Sequence, residues 1–293
     1  MALVSRPVVV RSPASAANLG PGFDALGLAL SLHDRLEAEV TDDGLEVVVR
    51  GECADDVPRD RDHLVIRAMD AAFELMGERP PGLRLTCVNA IPHGRGLGSS
   101  SAAIAGGIVL ARALVDDGAQ RLVDAAAYQL AFELEGHPDN VAAALFGGFT
   151  IAWLEDGIAS MHRLDVSARV TVFVPPQPVS THVARDLLPA EVPHRDAAAD
   201  AGRAALLVAA LTDEPTHLLA ATEDFLHQSY RAAAMPDSYD LVQGLRSARV
   251  PAVISGAGPS VLAFGRGLDG VVPAGWVAHE LEVEASGAHV VSS

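Results

Sequence analysis

The feature that most constrains this chain is a glycine- and serine-rich segment, PHGRGLGSSSA, at residues 92–102. A predicted strand, Leu83–Val88, precedes it, and an alanine-rich predicted helix, Ala102–Val115, follows it. Glycines at alternate positions let the backbone turn tightly and approach a ligand without Cβ clashes. The N–H groups at the start of the helix attract anions. We therefore predict a phosphate-binding loop, and a flexible Gly/Ser linker is the alternative interpretation.

The basic residues limit how the chain can hold an anion. The segment lacks the Gly-Lys-Ser/Thr of a Walker A loop, and its glycine spacing differs from the G-x-G-x-x-G of dinucleotide-binding folds. The chain contains no lysine, so all 21 basic residues are arginine. This composition excludes Schiff-base chemistry. A bound anion must therefore be held by backbone N–H groups, arginine or a metal ion.

Composition and charge favour a folded protein of the cytoplasm. Hydrophobic residues make up 49% of the chain and the net charge is -17, so we expect neither nucleic acid nor an anionic membrane as a partner. Apolar runs are shorter than the ~20 residues of a membrane span. Cys53 and Cys87 are the only cysteines and have no Cys or His at ligand spacing, which indicates a reducing compartment rather than a disulfide or zinc site.

The order of predicted elements favours an α+β fold, because strands and helices are interleaved without a strict βαβ repeat. A short strand, Val8–Arg11, is predicted to run into a turn-rich stretch. Strands Leu36–Val40 and Leu45–Arg50 flank Asp-Asp-Gly at residues 42–44, a hairpin signal. Helices are predicted over Leu64–Met76 and over about His217–Ala234.

Three further segments place polar or small residues at predicted turns. Residues 13–30 put Asn18 and Asp24 where they could grip an ammonium or hydroxyl group, or satisfy turn N–H groups. Residues 133–141, ELEGHPDNV, lie between two predicted helices and could hold Mg²⁺ and influence a nucleophilic hydroxyl, or cap the helices. Residues 253–260, VISGAGPS, form a small-residue turn that permits a close backbone approach or a tight hairpin.

Together, and in this order, the four segments resemble the GHMP kinases, a family that includes galactokinase, homoserine kinase, mevalonate kinase and phosphomevalonate kinase. Residues 94–101 resemble its ATP-binding motif and residues 255–260 its C-terminal glycine-rich motif. The N-terminal segment is similar to homoserine kinases in particular. The resemblance spans Ser12 to about Phe264.

The resemblance implies a two-domain α+β fold with the ligands in the cleft between the domains. Residues 1–165 are expected to form a ribosomal-S5-like domain and residues 166–293 a ferredoxin-like domain. The implied activity is ATP- and Mg²⁺-dependent phosphorylation of the side-chain hydroxyl of L-homoserine, giving O-phospho-L-homoserine in threonine biosynthesis. A homodimer is a family-level expectation.

The resemblance also implies roles for individual residues. The implied nucleotide-binding residues are Pro92, His93, Gly94, Arg95, Gly96, Leu97, Gly98, Ser99, Ser100, Ser101 and Ala102. The implied substrate-binding residues are Asn18, Asp24, His137, Thr181, Arg185, Arg231 and Gly256. The implied metal ligands are Ser100 and Glu135, and the predicted catalytic residues are Ser100, Asp139 and Asn140. Two arginines near one pocket suit the α-carboxylate of homoserine.

Several alternatives stay open at this point. Only three residues separate Glu135 from the Asp-Asn pair, fewer than in many family members, so Glu133 competes with Glu135 for the metal. His63 stands where an asparagine near the adenine is common. Asp139 could accept the proton of the hydroxyl, and transfer without a protein base is equally compatible with the sequence. The rival functions are a mevalonate-type GHMP kinase, a non-catalytic nucleotide-binding module, and a structural or interaction protein.

Overall fold

Two β-sheets organise the computed structural model, which describes residues 3–291. The first sheet has seven strands in the order β11-β1-β2-β4-β3, with β5 and β6 added beside β2. The second has four strands in the order β10-β7-β9-β8. The strands are β1 Val8–Asn18, β2 Gly22–Thr41, β3 Gly44–Gly51, β4 Gly82–Asn89, β5 Phe149–Glu155, β6 Ile158–Leu164, β7 Arg169–Val174, β8 Ala252–Ile254, β9 Val261–Phe264, β10 Val277–Glu282 and β11 His289–Val290.

Helices cover the sheets and carry several of the site residues. The helices are α1 Leu64–Met76, α2 Ser99–Ala113, α3 Gly118–Arg121, α4 Asp124–Glu135, α5 Pro138–Phe146, α6 Thr181–Asp186, α7 His194–Thr212, α8 Leu218–Ala221, α9 Gln228–Arg231 and α10 Pro236–Ser247. The periodicity of α1 predicted both of its ends, and Gly77 closes the helix in the left-handed conformation. A Cβ on Gly107 would lie 2.6 Å from the carbonyl oxygen of Val65, so this glycine lets α1 and α2 pack closely.

The first strand is longer than predicted. It continues beyond Arg11 to Asn18 as β1, through the stretch expected to turn. Ser12, Ala14 and Ala16 are fully buried there, and the Ser12 hydroxyl donates a 2.7 Å hydrogen bond to the carbonyl of Ala102 on α2. The small residues therefore allow helices to pack directly on the strand, which is a tertiary requirement and not a turn signal.

The hairpin predicted around residues 42–44 is wrong. Strands β2 and β3 do not pair, because β4 lies between them: β4 is antiparallel to β2 and parallel to β3. Helix α1 supplies the crossover that parallel strands require. The local turn residues are present, but the β3-α1-β4 unit decides the pairing.

The continuous helix predicted over His217–Ala234 is also wrong, since residues 222–227 interrupt it between α8 and α9. The Asp224 carboxylate accepts hydrogen bonds from the N–H groups of Leu226, His227 and Gln228. This side chain offers the backbone an alternative to helical hydrogen bonds. Helix α9 therefore starts where Asp224 places it.

Residues 165–168 connect the first sheet to the second. Strand β6 ends at Leu164 in the first sheet, and β7 starts at Arg169 in the second. The C-terminal strand β11 returns to pair with β1. We propose that the chain divides into two domains, residues 1–165 and residues 166–293. Strand β11 is an exception, because it belongs to the second range but pairs with the first sheet. Within residues 3–291 no helix is both long and apolar enough to cross a membrane.

Candidate active site

Most of the predicted site residues line one cavity of about 220 Å³ between the two sheets. The predicted residues that line it are Asn18, Asp24, Gly94, Gly96, Leu97, Gly98, Ser99, Ser100, Glu135, His137, Asp139, Asn140, Thr181, Arg185, Arg231 and Gly256. The predicted residues outside its lining are Pro92, His93, Arg95, Ser101 and Ala102. The tertiary structure thus brings together segments that are more than 200 positions apart in the chain.

The glycine-rich loop is anchored through its carbonyl groups. The carbonyl of Gly94 accepts from the N–H of Val179 at 3.1 Å, and that of Leu97 accepts from the N–H of Ser15 at 3.0 Å. The hydroxyl of Ser255 donates to the carbonyl of Gly96 at 2.7 Å. These partners belong to both parts of the chain, so the loop is held at the cleft between them and is not a flexible linker.

The loop has no room for side chains at its glycines. Gly94, Gly96 and Gly98 have φ values of 63°, 70° and 66°. A Cβ on Gly96 would lie 2.2 Å from the carbonyl oxygen of Ser255, and one on Gly98 would lie 2.0 Å from the hydroxyl of Ser15. Gly98 is the N-cap of α2 and offers no capping side chain. The first N–H groups of α2 are therefore available to an anion in the cleft.

Glu135 is the acidic side chain nearest to this helix start. Its Oε1 accepts hydrogen bonds from the hydroxyls of Ser100 at 2.7 Å and Ser101 at 3.0 Å. Burial raises the pKa of Glu135, and the two serine hydrogen bonds oppose that shift. Glu133, the other candidate, is exposed and accepts from Gln129 outside the cavity lining. The geometry therefore favours Glu135 over Glu133.

The Ser100 and Glu135 oxygens fit a Mg²⁺ ion by their chemistry. Mg²⁺ prefers oxygen ligands and is usually held by one or two carboxylates together with substrate phosphates. Among residues 3–291 there is no cluster of three or more His, Cys, Asp or Glu side chains suited to a metal. A cation at Glu135 would therefore depend on phosphate oxygens for its remaining ligands.

Asp139 is a buried carboxyl group at the start of α5. It is 2% exposed, and its Oδ1 accepts from the N–H of Asn140 at 2.8 Å. Burial raises its pKa to about 7, and the nearby carboxylates of Asp24 and Glu135 add to the shift. The Asn140 side chain is held by a different hydrogen bond, which the Ser15 hydroxyl donates to its Oδ1 at 2.9 Å. A carboxyl group with a pKa close to neutrality suits proton transfer.

The N-terminal segment forms the opposite wall. Asn18 and Asp24 have φ values of 67° and 55°, a left-handed conformation that costs energy in residues with a Cβ. The Asn18 side chain donates to the carbonyl of Gly256 at 2.8 Å and accepts from the N–H of Asp24 at 3.0 Å. These two hydrogen bonds hold the strained backbone of Asn18 and Asp24 in place.

Two arginines line this end of the cavity, and among residues 3–291 only one of them has an ion-pair partner. Arg185 forms a two-pronged ion pair with Asp24, with distances of 2.8 and 3.1 Å. Arg231 is 2% exposed and has no ion pair with any Asp or Glu of residues 3–291. Burial lowers the pKa of Arg231, and repulsion from Arg185 adds to this effect. His137 lies beside them, and burial together with Arg185 lowers its pKa.

Sequence reasoning missed two residues of this wall. The Phe23 ring lies near both arginines, with its centroid 5.5 Å from the guanidinium carbon of Arg185 and 5.2 Å from that of Arg231. His227 is fully buried and contacts Arg231 through Nδ1 at 3.2 Å. The sequence signal that could have identified Phe23 is its position directly before Asp24. For His227 the corresponding signal is its position one helical turn before Arg231.

A second, mainly apolar cavity of about 200 Å³ adjoins the helix start. It shares Ser99 and Ser100 with the first cavity and is otherwise lined by apolar residues such as Val57, Leu64 and Ala103, with several polar ones. His63 also lines it, and its Nδ1 is buried without a hydrogen-bond partner among residues 3–291. Such a pocket can take a flat apolar ring with polar edges.

Comparisons with known proteins identify related sequences. Residues 63–148 match the family described as GHMP kinases N terminal domain. The chain is 55% identical to homoserine kinase of Streptomyces coelicolor, covering 97% of this chain and 94% of that protein. It is 48% identical to homoserine kinase of Mycobacterium tuberculosis, covering 89% and 84%.

Solved structures give the same result for the fold. The crystal structure of homoserine kinase from Cytophaga hutchinsonii superimposes with a TM-score of 0.83 at 25% identity, covering 99% of both chains. That of L. major mevalonate kinase superimposes with a TM-score of 0.67 at 15% identity, covering 98% of both chains, and shows the fold alone. The predicted two-domain α+β fold is confirmed.

Proposed function

The chain belongs to the GHMP kinase family, among its homoserine kinases, and we propose that it transfers the γ-phosphoryl group of ATP to the side-chain hydroxyl of L-homoserine. The product is O-phospho-L-homoserine, an intermediate of threonine biosynthesis. One observation carries the proposal: a helix start without a capping side chain, a buried carboxyl group and a buried arginine with no ion pair among residues 3–291 line a single cavity.

The nucleotide is proposed to span the two neighbouring cavities. Its phosphates would lie against the N–H groups at the start of α2, where Gly94, Gly96 and Gly98 permit close approach. Its adenine would enter the apolar cavity beside His63, whose unpartnered Nδ1 could meet a polar edge of the ring. Ser99 and Ser100 line both cavities and mark the passage between them.

Ser100 and Glu135 are proposed to hold the Mg²⁺ ion that accompanies ATP. When bound, this ion supplies positive charge that offsets the charge developing on the transferred phosphoryl group. Ser100 and Ser101 already orient the Glu135 carboxylate toward the helix start through their hydroxyls. Burial raises the pKa of Glu135 because it disfavours the charged carboxylate, and a bound cation would favour that charged form.

Homoserine is proposed to bind by its two charged groups at the opposite wall. Arg231 is a buried cation without an ion-pair partner among the described residues, so a substrate carboxylate would supply the missing charge. The Asp24 carboxylate, held by its ion pair with Arg185, would meet the α-ammonium group. Thr181, His137 and Gly256 complete the lining and limit the size of the acceptor.

Asp139 and Asn140 are proposed to orient the hydroxyl that attacks. Phosphoryl transfer depends mainly on in-line positioning and on charge stabilisation. The pKa of Asp139, about 7, would let its carboxylate accept the hydroxyl proton near neutral pH. Asn140 is fixed by Ser15 and can contact the same oxygen without changing charge.

The test is a comparison of acceptors. The purified protein is incubated with ATP, Mg²⁺ and either L-homoserine, mevalonate or galactose, and the products are identified by mass. We expect a phosphorylated product from homoserine alone. Preferential phosphorylation of mevalonate or galactose would reject the substrate, and absence of turnover with nucleotide retained would indicate a non-catalytic binding module.

We further propose that the protein acts in the cytoplasm. Cys53 and Cys87 are both free thiols, which suits a reducing compartment. The expected homodimer stays a prediction, to be checked by sedimentation of the purified chain.

A further inference from the structure

The buried histidine behind Arg231 has a defined role in the hydrogen-bond pattern. Nε2 of His227 lies 2.8 Å from the carbonyl oxygen of Gly20, and Nδ1 lies 3.2 Å from Nη1 of Arg231. A carbonyl can only accept and a guanidinium can only donate. The imidazole must therefore carry its proton on Nε2 and accept at Nδ1, which makes it the neutral Nε2–H tautomer.

The surroundings of His227 fix this arrangement. The side chain is fully buried, its ring lies 5.2 Å from the Phe23 ring, and burial lowers its pKa. Its backbone N–H donates to the Asp224 carboxylate, which also lies 3.6 Å from Nε2. A protonated ring would point an Nδ1–H donor at the donors of Arg231, so the contact with Arg231 exists only with the neutral ring.

Arg231 is held on three sides and open on one. Its Nε donates to the carbonyl of Ala184 at 3.1 Å, its Nη1 donates to His227, and the Phe23 ring lies against its face. Among residues 3–291, Nη2 has no hydrogen-bond partner, and Arg231 lines the cavity. The neighbouring Arg185 is already neutralised by Asp24. Nε of Arg185 also lacks a partner among residues 3–291, but Arg231 is the guanidinium of this pair whose charge no carboxylate of those residues offsets.

We propose that His227 is a positioning residue that, as a neutral acceptor, orients Arg231 toward the α-carboxylate of the amino-acid substrate. A neutral acceptor holds the guanidinium without cancelling its charge, whereas a carboxylate in the same place would satisfy Arg231 before substrate binds. His227 does not touch the substrate and acts through Arg231. The inference rests on the proposed function and deepens it, because it names what makes this wall selective for a carboxylate.

Two substitutions separate the contacts of the imidazole. His227→Gln can place an N–H where Nε2 donates to Gly20, but leaves Nη1 of Arg231 without its acceptor. His227→Asn can place an oxygen where Nδ1 accepts from Arg231, but leaves Gly20 unpaired. The measurements are KM for L-homoserine and the competitive inhibition constant of 3-amino-1-propanol, which is homoserine without its carboxylate.

The expected results differ between the two variants. In His227→Gln, KM for homoserine rises roughly 10- to 100-fold, because a hydrogen bond to a charged group is lost, while the inhibition constant of 3-amino-1-propanol and KM for ATP change less than about twofold. His227→Asn keeps KM for homoserine within about threefold of wild type, and lower thermal stability in this variant leaves the expectation unchanged.

Three results would overturn the inference. They are equal weakening of homoserine and 3-amino-1-propanol in His227→Gln, an unchanged KM for homoserine in that variant, or loss of homoserine binding in both variants alike. A wild-type protein without activity on homoserine would instead refute the proposed function, so the two failures are distinguishable.

Discussion

Replacing Asp139 by asparagine tests whether the carboxyl group in the cleft is kept at an energetic cost. The asparagine has the same shape, and its side-chain oxygen can still accept from the N–H of Asn140, as Oδ1 of the aspartate does. What the substitution removes is the ionisation. Asp139 is buried within the cavity lining, and burial raises its pKa from 3.8 to about 7.

The pH dependence follows from the proton count in each state. Between pH 4 and pH 7 the folded protein keeps the Asp139 proton that the unfolded chain has released. Because the folded state then binds more protons, this group makes the free energy of unfolding fall as pH rises through that window. The cost is complete above pH 7 and absent below pH 4. Its upper limit is the shift of about 3 pKa units multiplied by 1.36 kcal/mol, or about 4 kcal/mol.

We therefore expect Asp139→Asn to be more stable than the wild type at pH 8, by up to about 4 kcal/mol, and equally stable at pH 4. The assay is urea unfolding of both proteins without nucleotide from pH 4 to pH 8. Homoserine phosphorylation by the variant should fall roughly 100-fold or more, the usual effect of losing a proton acceptor. Asp200→Asn is the matched control: Asp200 is also buried, with a pKa raised to about 6, but lies outside the cavity lining.

Two results would refute the reasoning. One is a stability difference between wild type and Asp139→Asn that stays constant from pH 4 to pH 8, since the raised pKa could not then be real. The other is full activity of Asp139→Asn, which would show transfer without this protein base. The control Asp200→Asn should become more stable at high pH and keep its activity, so the two effects can be told apart.

Three other substitutions test separate parts of the site. Glu135→Ala should raise the Mg²⁺ concentration for half-maximal activity about tenfold by removing a ligand, while the exposed Glu133→Ala should not; magnesium titrations that match wild type in both would reject the metal assignment. Arg231→Ala should raise KM for homoserine far more than KM for ATP, because it removes the unpaired cation; steady-state kinetics showing equal effects would count against this role. Gly96→Ala should raise KM for ATP roughly tenfold or more. Gly96 has a φ of 70°, and a Cβ there would lie 2.2 Å from the carbonyl oxygen of Ser255, which together cost about 2 kcal/mol. A wild-type KM in an ATP titration of this variant would contradict the close approach.

Local signals in the sequence predicted the parts of this protein that depend on neighbouring residues. The alternate glycines at 94, 96 and 98 all adopt positive φ, as a residue without a Cβ allows. The 3.6-residue periodicity predicted a helix over about Leu64–Met76, and the structure has this helix. These features depend on backbone sterics and on one buried face, and both can be read within a window of about 15 residues.

The two wrong predictions have different causes, a distant strand in one case and a local side-chain cap in the other. The Asp-Asp-Gly segment at 42–44 does connect β2 to β3, but β4 pairs with both of these strands, because a strand pairs where its apolar face is best buried. The helical pattern over 217–234 fails for a local reason, because the Asp224 carboxylate caps the N–H groups that follow it. No local pattern reveals which strand will lie beside a given strand in the folded sheet.

The sequence alone determined which residue types were available to bind an anion and in what order they occur: a lysine-free chain with a glycine loop, an Asp-Asn pair and scattered arginines. Only the tertiary structure decided how they combine. It joins Asp24 to Arg185 across 161 residues, leaves Arg231 unpaired among the described residues and sets a neutral His227 behind it. The reason is that charge pairing and burial depend on distance in space, which chain position does not encode.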